Sequence, residues 1–479
     1  MTADVAPGRV IAPDESAVRE LQQGLRGQLV RPADPDYDAA RAVWNGMIDR
    51  RPALIVQCAG VADIKASVRF ARAHGLPLAV RGGGHNVAGF GTCDDGLVID
   101  LARMKGLRVD PAARTATAEP GLTWGEFDHE TQAFGLATTG GLVSTTGIAG
   151  FTLGGGIGWL LRKHGLTCDN LIAADVLTAD GELVTASAGE NADLLWALKG
   201  GGGNFGIVTS FEYRLHPVGP LVLGGAVFHT ADHAVELLQF YRHWVSNLPD
   251  ELTTLFAFLT APPEPFIPPA LVGQPLVAVV GCYAGPIEQG QEILGPLRAF
   301  GPPAVDLFGS IPYTVLQRMF DASAPRGIRS YWKTAYLDDL SDNVIDTLVE
   351  YAGRMRSLSP FSAIHVHHAE SPVLRDPGTQ AAFGRRDARF ILNLPVEWPD
   401  PNQDASHIAW VRSCFEAISP LAGSGAYVNF LAGDDGDQRI RAAYGPERYE
   451  RLAHLKARYD PRNVFRLNQN IAPMAPRQP

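Results

Sequence analysis

The stretch Arg81-Gly82-Gly83-Gly84-His85-Asn86 sets three glycines directly before a histidine. Glycines lack Cβ atoms, so such a run can take positive φ and bring bare backbone amides close to a bound anion. The imidazole at its end is then the reactive member. Alone, the run is equally compatible with a tight turn carrying a solvated or core histidine. It lacks the Gly-Lys-Ser/Thr ending of a nucleoside-triphosphate loop and no helix opens directly behind it, which argues against kinases and ATPases. Residues 140–158, GGLVSTTGIAGFTLGGGIG, offer small side chains in succession, enough to wall a flat or extended ligand with backbone. Residues 200–208 formally contain GxGxxG at Gly201, Gly203 and Gly206. A dinucleotide-binding unit needs a strand before these glycines and a helix after, whereas here helical NADLLWALK precedes and strand-like IVTSFEYRL follows. That excludes a nicotinamide domain of this kind. Three glycine clusters between apolar strands point to one large shared ligand.

The elements that must position these loops follow from hydrophobic periodicity. Asp63 to His74 reads as an amphipathic helix feeding a short strand, GLPLAV, and GLVIDL after the glycine run is a second buried strand. An earlier helix is expected from Asp14 to Leu29, and LIAADVLTADGELVTAS reads as a hairpin turning at Ala179-Asp180-Gly181. At 479 residues the chain accommodates roughly two to three domains. We divide it at 1–217, 218–426 and 427–479: an α/β unit, a second domain of longer strands, helices and proline-rich loops, and a closing segment. That segment is expected to hold a strand at Tyr427, a helix from Gly445 to Tyr459 and the stop signal Asp460-Pro461.

Composition narrows the class. A net charge of -10 speaks against nucleic acid, which needs a basic footprint. No segment reaches the roughly 18 apolar residues of a membrane helix. The first 16 residues lack the basic start and apolar stretch of a secretory signal, so a cytoplasmic location is expected. Five cysteines, Cys58, Cys93, Cys168, Cys282 and Cys414, form no CxxC pair and indicate neither a disulfide framework nor a zinc site. In IHVHHAESP, His365 and His367 share a strand face by period two, but without a third ligand they read as pocket lining, and no metal is expected.

Taken together, RGGGHN, the stretch TTGG-x5-GIAG-x3-GGGIGWLLRKHGLTCDN, the block WALKGGGGNFGIVT and the ending YDPRNVFRLNQNI resemble the FAD-linked oxidases with a p-cresol methylhydroxylase-type flavin domain. The branch most similar is that of the berberine bridge enzyme-like proteins, which includes oligosaccharide oxidases and 6-hydroxynicotine oxidases. The resemblance implies an α+β fold: an FAD-binding domain of two α/β subdomains, and a substrate domain with an antiparallel sheet flanked by helices. It implies FAD attached covalently through a ring nitrogen of His85 to the 8α-carbon of the isoalloxazine. The family's second attachment point, a cysteine, is replaced here by Val143, so a single linkage is expected. Backbone amides of Gly82, Gly83 and Gly84 would hold the pyrophosphate, and the flanking Arg81 and Asn86 would also belong to the cofactor site. Gly140, Gly141, Val143, Thr146, Gly147, Gly150 and Gly156, together with Gly203, Asn204, Gly206, Ile207 and Val208, would line the ring and the adenosine. Asn468, Gln469 and Asn470 would bind the flavin end or close the domain.

The expected chemistry removes a hydride from a C–OH or C–N carbon of a small molecule while a base takes the neighbouring proton. By resemblance the base is Tyr427, with Asn429 on the same strand face orienting substrate or flavin. A tyrosine ordinarily titrates near about 10, so a positive charge or hydrogen-bond donor would have to lower it. His365 and His367 would line the substrate pocket, with His367 and His368 narrowing the space above the flavin. Thr146 falls at the family's oxygen gate and has the size of valine, which favours O2 as acceptor and hydrogen peroxide as product. The alternatives are a dehydrogenase with another acceptor and a binding protein without turnover. The sequence leaves the substrate open among a sugar, an alkaloid and a polyketide alcohol, and it leaves the oligomeric state open.

Overall fold

The computed structural model describes residues 14–375 and 381–474; residues 1–13, on which most of the reading of the leader rests, lie outside them. Leu54–Gln57, Leu97–Asp100 and Leu78–Arg81 form the parallel part of a four-stranded sheet, with Gln28–Val30 antiparallel at one edge. The central pair is buried on both faces, which is why these strands read as continuous apolar runs. Helix Val61–His74 packs Ile64, Val68 and Ala71 on this sheet and stops at Gly75, whose φ of 64° favours a residue without Cβ. The glycine run thus leaves the end of the edge strand Leu78–Arg81.

A second, fully antiparallel sheet orders Leu107–Asp110, Thr115–Ala118, Ile207–Arg214, Leu171–Leu177 and Leu183–Ser187. Its last two strands are the expected hairpin. Helix Ala192–Leu198 and helix Pro446–Tyr459 share its core with Phe205, Phe211, Tyr213 and Leu452. The end of the chain therefore returns to the first half of the molecule. Lys456 fastens it: buried, it donates to the Asn204 carbonyl at 2.7 Å, the Phe465 carbonyl at 2.9 Å and Asp460 at 2.6 Å.

An eight-stranded antiparallel sheet makes up the rest. Its path runs from Val305–Asp306 through Leu221–Thr230, Pro275–Tyr283, Leu252–Thr260, Ala363–His368 and Phe390–Trp398 to Arg329–Leu337, and the eighth strand, Gly309–Pro312, pairs with Leu221–Thr230 off that path. One face packs on helices Ala234–Trp244, Asp342–Arg354 and Asp404–Ile418. In Phe390–Trp398 the residues Leu392, Leu394, Val396 and Trp398 belong to that packing, so the alternate residues Asn393, Pro395 and Glu397 face the opposite way, toward the first two sheets.

Three expectations are corrected. The first helix spans Glu15–Gly24 rather than reaching Leu29, because Asp63 accepts the Arg26 and Gly27 amides and Gln28–Val30 pairs with Ile55–Gln57. Tyr427 begins no strand: Val428–Phe430 is a single 3-10 turn closed by the Phe430 amide on the Tyr427 carbonyl at 3.0 Å. Helix Asp437–Tyr444 precedes Pro446–Tyr459 and was not expected from the pattern.

Candidate active site

A cavity of about 1000 Å³ lies between the two sheets of the first half and the open face of the eight-stranded sheet. Its lining includes Arg81 to Asn86, Gly141, Val143, Thr146, Gly147, Gly150, Gly203, Asn204, Gly206, Ile207, Val208 and Asn468. Tyr427, Asn429, His365 and His367 line it as well. Residues from three glycine clusters, the closing segment and the large sheet thus meet in one space.

The cradle is built by backbone contact. A Cβ added to Gly83 would stand 2.5 Å from the Gly147 nitrogen, and one added to Gly147 would stand 2.4 Å from the Gly83 nitrogen. The first two glycine clusters therefore touch where neither tolerates a side chain. Gly84 adds a φ of 69°, so the chain turns sharply into His85. The His85 imidazole stacks on Trp44 with ring centroids 4.4 Å apart, and its Nε2 is buried without a hydrogen-bond partner. Burial pushes this histidine down to about 4, so it is neutral at physiological pH. A neutral imidazole with an unengaged nitrogen therefore stands on a backbone-lined cavity.

Some expected ligands serve the frame instead. The Arg81 guanidinium is buried, bonded to Asp100 at 2.8 Å and to the Ala40 carbonyl at 2.5 Å, so it holds the strand ends rather than a phosphate. The Asn204 side chain ties the end of the chain, donating to the Gln469 carbonyl and accepting from the Ile471 amide at 2.9 Å. Asn468 donates to the Gly203 carbonyl at 3.2 Å. Gly140, Gly156 and Asn470 stand outside the cavity lining. Gly140 is wedged against Trp124 and Gln317, and a Cβ on Gly156 would meet Thr167. His368 turns from the cavity toward Phe390, because on a strand its side chain opposes that of His367; it does not narrow the pocket.

Gly156 acts one step away. Its amide donates to the Tyr427 hydroxyl oxygen at 3.0 Å, and Asn429 Nδ2 donates to the same oxygen at 2.9 Å. Asn429 is held in turn by the Phe151 carbonyl, which accepts from Nδ2 at 3.0 Å. Two donors converging on a phenol oxygen favour its ionised form. Burial acts against them and wins, keeping the fully buried Tyr427 phenol above its ordinary range. Of the two routes expected for lowering it, the structure supplies the hydrogen-bond donors, which do not outweigh burial. His365 and His367 form an edge-to-face pair 5.9 Å apart, and burial holds them neutral at about 4 and about 3.

Trp332, which the sequence offered with Trp398 as a possible pocket wall, lines the cavity and Trp398 does not. Pattern reasoning passed over Trp44, which meets Trp332 edge-to-face at 5.8 Å and joins the His85 wall to the large sheet. Asn393 and Glu397 are polar residues at period two inside the apolar strand FILNLPVEW, a signal visible in the sequence.

This arrangement defines a flavin-dependent oxidoreductase. Residues 52–187 match the FAD binding domain model, and residues 426–472 match the berberine and berberine-like model. An FAD-linked oxidoreductase of Dictyostelium discoideum is 32% identical over 463 residues, covering 95% of this chain and 97% of its own. The (R)-6-hydroxynicotine oxidase of Paenarthrobacter nicotinovorans is 29% identical, covering 94% and 97%. The crystal structure of 6-hydroxy-D-nicotine oxidase from Arthrobacter nicotinovorans superposes with a TM-score of 0.84 at 26% identity, covering 94% and 98%. The chain belongs to the FAD-linked oxidoreductases of the berberine bridge enzyme-like family, and it is an enzyme that uses FAD.

Proposed function

We propose that this protein is an oxidase that carries FAD covalently through His85, withdraws a hydride from a C–OH or C–N carbon of a small metabolite, and passes the electrons to O2 to give H2O2. The observation that carries the proposal is the neutral His85 ring, with Nε2 unengaged, at the mouth of a cradle whose Gly83–Gly147 contact excludes side chains. When bound, the flavin supplies the hydride acceptor and the electron path to oxygen. Gly82 to Gly84 and Gly147 offer backbone to the pyrophosphate, while Ile207, Val208 and Gly203 wall the nucleotide half. A single linkage is supported by Val143 on the cavity wall and by five buried, unbridged cysteines, none of which lines the cavity.

On the substrate side, Tyr427 receives the proton from the reacting O–H or N–H. It does so in its ionised form, in which the Gly156 amide and Asn429 hold the negative charge on its oxygen until the incoming proton neutralises it. Asn429 is a positioning residue, fixed by Phe151. Thr146, half-buried on the cavity wall, is small enough to leave O2 a path.

Purified protein should be yellow, gain the mass of FAD, and stay fluorescent on a denaturing gel; His85→Ala should lose that retained fluorescence. Flavin that remains attached in the variant refutes the linkage. A substrate screen read out by peroxide tests the acceptor, and turnover with a quinone but without peroxide would make the protein a dehydrogenase.

A further inference from the structure

Glu397 stands on the open face of the large sheet with no counter-charge. The side chain is 4% exposed. Its Oε1 reaches only the Ser330 hydroxyl, at 3.5 Å, and its Oε2 is buried without a partner. The other polar neighbour is the Trp332 indole, whose N–H is also buried and unpartnered. Arg329, next to Ser330 on the facing strand, is committed to Asp404 at 2.5 Å. Burial pushes the Glu397 carboxyl up to about 8, a sign of how far it lacks compensation. A buried carboxyl held by no more than a long hydroxyl contact and a neighbouring indole, with no counter-charge, is costly as a purely structural element. Bordering a cavity, it is available to a ligand.

The rest of the wall specifies that ligand. Arg81 is the one basic side chain besides histidine that lines the cavity among the described residues, and it is spent on Asp100. Glu264 lines it too, so among the described residues the wall offers a substrate two carboxyls and no free cation, and a cation arriving beside Glu397 would draw its raised carboxyl into the ionised form. The neutral His365 and His367 add no charge. The mouth is apolar: Phe266 is 43% exposed, Val315 54% and Phe361 38%, with Pro262, Pro263 and Met319 beside them. A saccharide needs a hydroxyl partner at nearly every sugar position, whereas Phe266, Val315, Phe361, Pro262, Pro263 and Met319 offer none on their part of the wall. Aromatic faces beside a carboxylate are suited instead to an alkylated ammonium, which gains both ion pairing and attraction to the rings.

We infer that Glu397, beside Trp332, anchors the cationic nitrogen of an otherwise apolar, ring-bearing amine, and that it sets the substrate class of this enzyme. The inference rests on the reading of the cavity as the substrate half of an FAD oxidase. It names the nitrogen that is bound and leaves the reacting carbon to Tyr427.

The test is calorimetric titration of the flavin-loaded enzyme with benzyltrimethylammonium, benzyl alcohol and lactose. The wild type should bind the cation at least tenfold more tightly than the neutral alcohol and should not bind lactose. Glu397→Gln should weaken the cation at least tenfold while leaving the alcohol within twofold, and Glu397→Asp, which keeps the charge, should retain most of the preference. Equal affinity for cation and alcohol in the wild type, equal cation affinity in Glu397→Gln, or tighter binding of lactose overturns the inference. Any of these with flavin in place refutes the amine anchor alone. Absence of flavin from the purified wild type refutes the function on which the anchor rests.

Discussion

Tyr427→Phe separates the chemical role of the phenol from its structural one. Removing the oxygen deprives the Gly156 amide of its 3.0 Å acceptor, whereas Asn429 Nδ2 keeps the Phe151 carbonyl at 3.0 Å. One buried donor is left unpaired, which costs about 1–3 kcal/mol and lowers the melting temperature by a few degrees in a chain of this length. Loss of a general base costs about 10²–10⁴ in the rate of the step it assists. The variant should therefore bind FAD and fold, yet show anaerobic flavin reduction slowed by two orders of magnitude or more in stopped flow. The pH profile gives an independent sign. The wild-type phenol sits above its ordinary range, so the deprotonated form is scarce at neutral pH and reduction should quicken about tenfold per unit through the alkaline limb. Tyr427→Phe should flatten that limb. His367→Gln, which alters the neutral imidazole on the adjacent sheet, should leave the alkaline limb in place. Reduction of Tyr427→Phe within threefold of wild type, with the same profile, would show that the proton goes elsewhere and that the two donors on this oxygen serve folding alone.

Other perturbations report on the frame. Gly83→Ala forces a methyl to within 2.5 Å of the Gly147 nitrogen, so the purified protein should be colourless by visible absorbance while its far-UV spectrum is kept; a yellow variant would show that the two loops can part. Lys456→Met strands the buried Asp460 carboxylate and releases two carbonyls, costing about 3–5 kcal/mol, and should expose the end of the chain to proteolysis. Glu397 is raised from an ordinary 4.5 to about 8. The unfolded chain ionises first as pH rises, so the folded state loses stability across that window, at about 1.36 kcal/mol per unit before relaxation. Melting curves should show Glu397→Gln gaining on wild type from pH 5 to pH 8 and equalling it near pH 4. A constant difference across the range would contradict an uncompensated carboxyl.

The cofactor half was legible because its requirement is negative. Where Gly83 and Gly147 meet, any Cβ collides, and that exclusion is written as glycine in the sequence itself. His85 drew its expected role from the resemblance, since the run alone fits a tight turn with a core histidine equally well; the structure puts its ring on the cavity wall. What depended on distant partners was not legible. Arg81 looked like a cofactor ligand, but Asp100 claims it from the neighbouring strand. The Tyr427-Val428-Asn429 triplet was read as extended because period two and a single 3-10 turn both keep alternate residues within reach of each other, and only the Phe430 amide distinguishes them. Trp44 could not be paired with His85 from spacing, since their contact is made by the fold.

The two halves of the cavity also differ in what they allow to change. Around the glycine loops the ligand meets main chain, and the shape of that surface depends on φ angles and on contacts such as Gly206 against Val176, so a substitution there moves backbone. Across the cavity, His365, His367, Asn393 and Glu397 project from a sheet whose other face is locked by three helices. Side chains on that face can be exchanged without disturbing the strands that carry them. A single scaffold can thus keep its redox cofactor fixed while its substrate wall is rewritten one position at a time. It follows that Glu397, a charge at such an exchangeable position, informs on this chain's own substrate more directly than the glycine loops do, because those loops answer only to the flavin.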